Sequence, residues 1–439
     1  MLFSITRLSA FWGRLNSSFW FVPALMCTGA VGLSFLLIAL DTWLNVGEVD
    51  EYGLLYTFGP EGARSILSVI ASSMITVASL IFSITMLSLQ LASSQFGPRV
   101  LDNFMRDRSN QIVLGTFVAT FLFCLVSLRS VRGTEGASFV PHITVAFAVV
   151  LAVISVAVLI YFIHHIATSI RIETLLEELT ADARDAVDRL YPEMLGQGPF
   201  HDENESAQQL PHNFDRGARL IGADASGYVQ TVGMDALMDI ATKHDLILRI
   251  EAPPGHFVTE GQCIVTAYPR GRVSNEIADS LRGVVVIGWS RTINQDLEFS
   301  IRRIVELAQR SLSPGINDPT TALYCIDRLG EVLGRLAGRT LPSPVRFDKE
   351  HRFRILTEVR AIEDLACNAI SAIARYGISD VDVVTRLVET MDKLSRSFPP
   401  VARAAIMTLR EEVLITSAQK SSLNFDRNAL QHLLRGDGA

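Results

Sequence analysis

The chain has 439 residues, which is too long for one compact domain and predicts two or three. The net charge of −7 and the pI near 5.8 give no basic footprint, so no nucleic-acid partner is expected. Hydrophobic residues make up 49% of the chain and the mean hydropathy is +0.30, with the apolar excess in the first 170 residues. These values favour a membrane protein over a soluble one.

Four stretches are long and apolar enough to cross a bilayer, which takes about 20 apolar residues at 1.5 Å each. They cover residues 20–40, 63–91, 111–128 and 143–163. The first follows Arg7 and Arg14 and so resembles a signal peptide. However, its apolar run is longer than a signal peptide requires, and no small-residue cleavage site ends it. We therefore interpret it as a membrane helix.

The placement of arginines predicts that both termini face the cytoplasm. Arginines on that side are Arg7, Arg14, Arg99, Arg106, Arg108 and Arg171. The loop between the first two spans is acidic instead, with Asp41, Glu48, Asp50, Glu51 and Glu61. Arg64, Arg129 and Arg132 fall on the opposite side and weaken the asymmetry without reversing it.

The second span carries a line of polar side chains at steps of three and four residues, which places them on one helical face. This hydroxyl stripe consists of Ser65, Ser68, Ser72, Thr76, Ser79 and Ser83, continued by Gln90. Such a face is typical of close helix packing in membranes, because small hydroxylated residues hydrogen-bond across interfaces. It is also typical of a pore lining. Both interpretations fit a ring of subunits.

The segments that follow the second and fourth spans have distinct patterns. Gly97 and Pro98 end the second span, and apolar residues then recur at helical spacing beside arginines up to residue 108. This pattern predicts a short helix in the membrane interface. The fourth span ends in YFIHHIATSIRIETLLEELTADA without a helix breaker, which predicts one continuous helix that leaves the membrane as a stalk.

His164 and His165 end the fourth span. Next to buried acids, such histidines relay or sense protons. At a membrane interface, a histidine pair is also an ordinary polar anchor. Adjacent positions on a helix point in different directions, so the two rings do not favour a shared metal ion.

Three blocks of sequence carry a resemblance to a known family. They are SLQLASSQFGPRVL after the second span, YFIHHIATSI at the end of the fourth, and QDLEFSIRRIVELAQRSLSPGINDPTTAL further along. In this order they are similar to the bacterial predicted-membrane-protein family catalogued as domain of unknown function 2254, over nearly the whole chain. The resemblance implies an integral inner-membrane protein and supplies no established activity.

The remaining sequence predicts a mixed α/β cytoplasmic region. We expect a four-helix transmembrane domain over residues 1–170 and a stalk helix and linker over 171–210. A small β-rich module over 211–292 and a helical bundle over 293–439 follow. Within the last part, LPSPVRFDKEH is a linker or hairpin, and helices are expected at 352–376, 380–396 and 400–418.

No cofactor is expected. The PPGHFVTEGQ hairpin resembles turns of the barrel-sandwich folds that carry lipoyl or biotinyl groups, but no lysine lies near it. The five cysteines are scattered without a CxxC pair, which favours neither a disulfide framework nor a zinc site. No catalytic constellation or phosphate loop is present, so an enzyme is the weakest hypothesis.

The most polar cluster of the cytoplasmic half is Gln295, Asp296, Ser313, Asn317 and Asp318. It is interpreted either as a ligand or ion pocket at a helix N-terminus or as ordinary capping of a tight turn. Asp318 followed by Pro319 is a good start for a helix.

The sequence favours an inner-membrane homo-oligomer, channel-like, with the second span lining a pore and the cytoplasmic region gating it. The alternative is a non-conducting sensor or scaffold whose cytoplasmic region binds a partner or small ligand. The expected partners are the lipid bilayer and further copies of the chain, and the identity of any ion or ligand is left open.

Overall fold

A computed structural model describes residues 20–44, 59–96, 107–134, 137–169, 171–191, 210–421 and 423–435. The chain divides into two compact units, which meet in the sequence between Arg171 and Ile172. Most of the predicted interfacial helix at 99–108 and most of the predicted linker lie outside the described residues.

The membrane unit contains the four predicted spans, each long and apolar enough to cross a bilayer. They are α1 (Phe21–Leu44), α2 (Pro60–Phe96), α3 (Arg108–Leu128) and α4 (His142–Ser169). A short antiparallel hairpin, β1 (Arg132–Thr134) and β2 (Ala137–Phe139), joins α3 to α4. The predicted fold class, a four-span helical membrane protein with a mixed α/β region, is confirmed.

Small and hydroxylated residues set the packing of the spans. A Cβ added to Gly115 of α3 would lie 2.6 Å from Met26 Sδ and 3.2 Å from Pro23 Cα, so α1 and α3 approach closely only because this position is glycine. The buried hydroxyls of Ser34 and Ser127 are 2.9 Å apart across the same pair of helices. Such contacts are what holds membrane helices together, since lipid removes the hydrophobic drive for association.

Two sequence expectations for the membrane unit need correction. Asp41 was assigned to an acidic loop, but it lies within α1 and is buried. The fourth span was expected to continue without interruption, yet α4 ends at Ser169 and the next helix, α5 (Ile172–Leu190), begins at Ile172. The N–H of Arg171 donates to the carbonyl of Thr168, an i−3 bond that tightens and closes the last turn.

The C-terminal unit contains α5, nine further helices and eight strands among its described residues. The helices are α6 (Phe214–Gly217), α7 (Met234–His244), α8 (Asn275–Gly283), α9 (Leu297–Ser311), α10 (Pro319–Ala337), α11 (Ile362–Gly377), α12 (Val381–Ser397), α13 (Pro400–Lys420) and α14 (Asn424–Arg435). The strands are β3 (Arg219–Gly222), β4 (Gly227–Val232), β5 (Ile247–Ile250), β6 (Phe257–Val258), β7 (Cys263–Tyr268), β8 (Val285–Gly288), β9 (Val345–Phe347) and β10 (Phe353–Leu356).

The strands form two sheets, of order β3-β7-β5-β10-β9 and β6-β4-β8. The β9–β10 hairpin arises from the LPSPVRFDKEH region, and β10 pairs in parallel with β5, with Ile355 opposite Leu248. A helix was expected from residue 352, but this stretch is strand and α11 starts at Ile362. The β-rich module is therefore completed by strands more than 50 residues beyond its predicted end.

Helix α5, the predicted stalk, packs within the C-terminal unit. Its apolar face is buried, with Leu175, Leu176, Leu179, Ala183, Ala186 and Val187 pointing inward. Three ion pairs tie its polar flank to α9 and α10: Arg303 to Asp182 at 2.8 Å, Arg184 to Glu331 at 2.8 Å and Arg335 to Asp188 at 2.6 Å. This helix is part of a bundle.

Candidate functional site

The hydroxyl stripe lies on the outer side of α2, away from the other spans of the same chain. The packed face of α2 is formed by Ala63, Leu67, Ala71, Met74, Ala78 and Ile81, with Thr85 and Ser88 below them. At 100° per residue, the stripe is centred about 150° from this face. All seven stripe residues are exposed. The three neighbouring spans therefore leave the stripe uncovered.

Three stripe hydroxyls are bonded within α2. Thr76 Oγ1 donates to the carbonyl of Ser72 at 2.7 Å, Ser83 Oγ to that of Ser79 at 2.9 Å, and Ser72 Oγ to that of Val69 at 3.1 Å. A hydroxyl has one donor and two acceptor positions, so these bonds use the donor and leave the acceptors available. The stripe thus presents oxygen lone pairs on its outward side.

Large apolar side chains flank the stripe on both sides. Val69, Leu80 and Leu87 lie along one side and Ile75 and Phe82 along the other, all exposed. The outer surface of α2 is therefore a polar strip with apolar borders. In a membrane this arrangement suits a helix whose apolar borders contact protein or lipid, while the hydroxyl stripe contacts water or polar groups of another helix.

The two histidines at the end of α4 have different surroundings. His165 Nε2 lies 2.6 Å from Asp107 Oδ2, and the His165 ring stacks on Tyr161 with centroids 5.6 Å apart. The Tyr161 hydroxyl is 3.1 Å from Ser109 Oγ, and Asp107 Oδ1 accepts from the N–H of Ser109 at 2.8 Å. These contacts close a ring between the start of α3 and the end of α4.

His164 is exposed on the other side of α4. Among the residues that the structure describes, no three His, Cys, Asp or Glu side chains come together as a metal site.

The polar cluster predicted in the C-terminal half is divided by α9. Gln295 and Asp296 precede this helix, whereas Ser313, Asn317 and Asp318 follow it. Its 15 residues span about 22 Å. Asp296 caps α9 through the N–H of Phe299 at 3.0 Å, and Asp318 caps α10 through the N–H of Thr321 at 3.1 Å. Capping, one of the two interpretations, explains both acids without a common pocket.

Asp296 also holds an ion pair with Arg291. Arg291 Nε donates to Asp296 Oδ2 at 2.8 Å and its Nη2 to Oδ1 at 2.9 Å, a bidentate arrangement. Burial acts to lower the pKa of Arg291, but the Asp296 carboxylate outweighs it and the pKa is raised. A Cβ on Gly255, whose φ is +93°, would lie 2.9 Å from Asp296 Cγ. The PPGHFVTEGQ hairpin thus needs glycine there because its turn lies against this carboxylate.

A cavity of about 260 Å³ opens beside this ion pair. It lies where the end of α5, the turn at Pro253 and Pro254, the start of α9 and the segment 342–360 meet. Two of its lining residues, Arg346 and Tyr191, were not identified from the sequence. Neither stands in a motif, and only the strand pairing of the β9–β10 hairpin brings Arg346 to this place.

Fold and geometry together define an integral membrane protein with four spans and a C-terminal α/β unit. The chain belongs to the family described as Predicted membrane protein (DUF2254), which matches residues 16–393. An uncharacterized protein of Mycobacterium bovis is 30% identical over 421 residues, which cover 95% of this chain and 79% of the relative. An uncharacterized protein of Mycobacterium tuberculosis strain H37Rv matches with the same identity and coverage.

No solved structure matches the chain. Neither the family description nor the names of these relatives assigns a catalytic activity.

Proposed function

We propose that the protein is a homo-oligomeric, channel-like protein of the bacterial inner membrane, with both termini in the cytoplasm. In this proposal the hydroxyl stripe of α2 faces a water-filled path between subunits, and the C-terminal unit gates access to it. The observation that supports it most is the direction of the stripe. Seven polar side chains in line are exposed on the side of α2 opposite its packed face.

A path between subunits is favoured over one inside a single chain. The four spans bury their facing surfaces in apolar clusters that include Phe117, Phe123 and Phe162, which fill the space between the helices. A pore would therefore need stripes from several copies around an axis. The apolar borders of the stripe would then supply the contacts between neighbouring copies.

Cysteine accessibility tests this proposal directly. On a background in which all five native cysteines are replaced, single cysteines at Ser72, Thr76 and Ser79 should react with small water-soluble thiol reagents. Cysteines at Ile75 and Leu80, which are also exposed in one chain but lie on the borders, are the matched controls and should not react. Stripe cysteines as unreactive as the border cysteines in the assembled protein would contradict the proposal.

Ion flux in reconstituted vesicles gives a second test. Ser72→Leu or Ser79→Leu should reduce flux, because a ring of apolar side chains can close a narrow pore by dewetting. Ser72→Ala should leave assembly intact, since an interhelical hydrogen bond in a membrane is worth only about 0.6 kcal/mol on average. A wild-type protein that stays monomeric in detergent and in nanodiscs would rule out a pore between subunits.

The orientation can be tested at two described positions. Trp43 lies near the end of α1 and is 81% exposed, and Arg171 follows α4. Trp43→Cys should be labelled by an impermeant reagent from the periplasmic side only. Arg171→Cys should be labelled from the cytoplasmic side only, and the reverse pattern would invert the topology.

A further inference from the structure

The cavity beside Asp296 has the dimensions of a small-molecule site. Its volume of about 260 Å³ corresponds to roughly nine water molecules at ~30 Å³ each. Much of its wall is apolar, including Val232, Met234, Ile250, Pro253, Leu297 and Val359. Small-molecule sites in proteins combine such walls with a few well-placed polar groups.

Arg346 supplies a positive charge that has no counterion among the described residues. Its Nη1 donates to the backbone carbonyl of Ser343 and, at 3.5 Å, to that of Val345. Within the described residues the half-buried Arg346 forms no ion pair, and burial lowers its pKa. Other well-buried arginines of this unit differ, since Arg354, Arg339 and Arg303 each pair with a carboxylate. A guanidinium has five N–H donors, so Arg346 retains donors for a ligand.

Tyr191 supplies a neutral donor in the same wall. Burial raises the pKa of its hydroxyl to about 12, so the group keeps its proton at physiological pH. Among the described residues this hydroxyl has no hydrogen-bond partner, although the ring is buried. Its O–H is therefore available to donate to a ligand in the cavity.

The acidic residues of the cavity limit the charge that a ligand can carry. Asp296 is paired with Arg291, and Glu298 with Arg360 at 2.5 Å, so neither neutralises Arg346. Glu358 forms no ion pair within the described residues, but it is exposed and solvated by water. With Asp296 and Glu298 compensated by their own arginines, one free guanidinium and the exposed Glu358 carboxylate remain. This balance tolerates a ligand with a single negative charge and disfavours a dianion such as phosphate.

We propose that this cavity binds a small monocarboxylate with an apolar body, its carboxylate on Arg346 and Tyr191 and its body against the apolar wall. An arginine binds a carboxylate through two parallel N–H bonds, which fixes the orientation of the ligand. The proposal goes beyond the channel hypothesis and does not depend on it, because every lining residue belongs to the C-terminal unit.

Calorimetry on the full chain in nanodiscs tests the ligand class. The probes are benzoate and phenylacetate, with benzamide, phenylacetamide and inorganic phosphate as comparisons. At least one of the two carboxylates should bind with a Kd below about 1 mM, an ordinary efficiency for ligands of this size. The matching amide and phosphate should bind at least tenfold more weakly. Absence of carboxylate binding up to 10 mM, or equal binding of the amide or phosphate, would overturn the proposal.

Variants test the assignment of residues. Arg346→Gln should weaken carboxylate binding roughly 10- to 100-fold, the range for a hydrogen bond to a charged group, and Arg346→Lys should restore part of it. Tyr191→Phe should weaken binding severalfold. Arg386→Gln is the matched control, because Arg386 pairs with Asp327 and does not line the cavity. Wild-type affinity in folded Arg346→Gln would refute the site.

A second variant keeps the test valid if Arg346→Gln does not fold. Thr357 lines the cavity, and Thr357→Trp places a bulky side chain in it while leaving Arg346 unchanged. Binding of the carboxylate should then be lost. Retained binding in Thr357→Trp would show that the ligand lies elsewhere.

Discussion

The carboxylate of Asp41 in α1 caps the start of α4 through Thr144, 103 residues away in the sequence. Asp41 Oδ2 accepts from Thr144 Oγ1 at 2.6 Å and from the Thr144 N–H at 3.0 Å, and its Oδ1 accepts from the N–H of Ile143 at 2.9 Å. The first N–H groups of a helix have no partner within the helix itself. Asp41 therefore satisfies α4 as a capping residue would, but from a different span.

We expect Asp41→Ala to destabilise the membrane unit by about 2 kcal/mol or more, because it leaves two buried donors and one half-buried donor without their acceptor. Asp41→Asn keeps an acceptor oxygen and should have an intermediate effect. Thr42→Ala is the control, since the Thr42 hydroxyl bonds only to carbonyls of its own helix. Unfolding in detergent measures the difference, and equal stability of Asp41→Ala and Thr42→Ala would contradict this role.

Gly115→Ala should separate α1 from α3. The added Cβ would lie 3.2 Å from Pro23 Cα, a backbone atom that cannot rotate away, as well as against Met26. Overpacking of this kind costs typically 1–3 kcal/mol. Gly32→Ala in α1 is the matched control, because no neighbouring helix among the described residues comes within 4 Å of its Cβ position. Thermal unfolding of the two variants should differ, with only Gly115→Ala destabilised.

His165 and Asp107 should be coupled energetically, whereas His164 should not. Asp107→Asn preserves an oxygen that can cap α3, so a double-mutant cycle with His165→Ala isolates the link between α3 and α4. We expect a coupling of about 0.5–1.5 kcal/mol, the range for polar contacts between membrane helices. The same cycle with His164→Ala should give no coupling, and a value near zero for both histidines would contradict the ring of contacts.

Acid should destabilise the C-terminal unit partly through Asp348. Burial by itself raises the pKa of Asp348, but the N–H groups of Arg352 and Glu350 and the Arg354 guanidinium outweigh it. Its pKa therefore lies well below the usual value. The stability that this group contributes is present above its unfolded pKa, near 3.9, and is lost as the pH falls from there toward the folded pKa.

Asp348→Asn should therefore flatten the dependence of stability on pH below about pH 4, while lowering stability at neutral pH. Limited proteolysis of the full chain at increasing temperature, repeated across pH values, measures this. An acid dependence in Asp348→Asn as steep as in the wild type would assign the acid sensitivity to other carboxylates. Asp188 and Asp245 are then the next residues to replace, because arginines also lower their pKa values.

Local features of this protein can be predicted from the sequence. The four spans follow from length and apolarity, and the starts of α9 and α10 from Asp296 and Asp318, because a cap acts on residues within the next turn. The hydroxyl stripe follows from a helical period that needs no knowledge of the partner. In each case the determining interactions lie within about four residues of one another.

Tertiary structure alone decided which of these features meet. The cluster around Asp296 and Asp318 was divided by α9. The pairing of β10 with β5 placed the β9–β10 hairpin, and with it Arg346, in the cavity wall. Asp41 was assigned to a loop because the predicted span ended at residue 40, and its partner Thr144 lies 103 residues later in the sequence. Burial and counterions depend on which distant segments fill the space around a side chain, so local pattern predicts an element but not its partner.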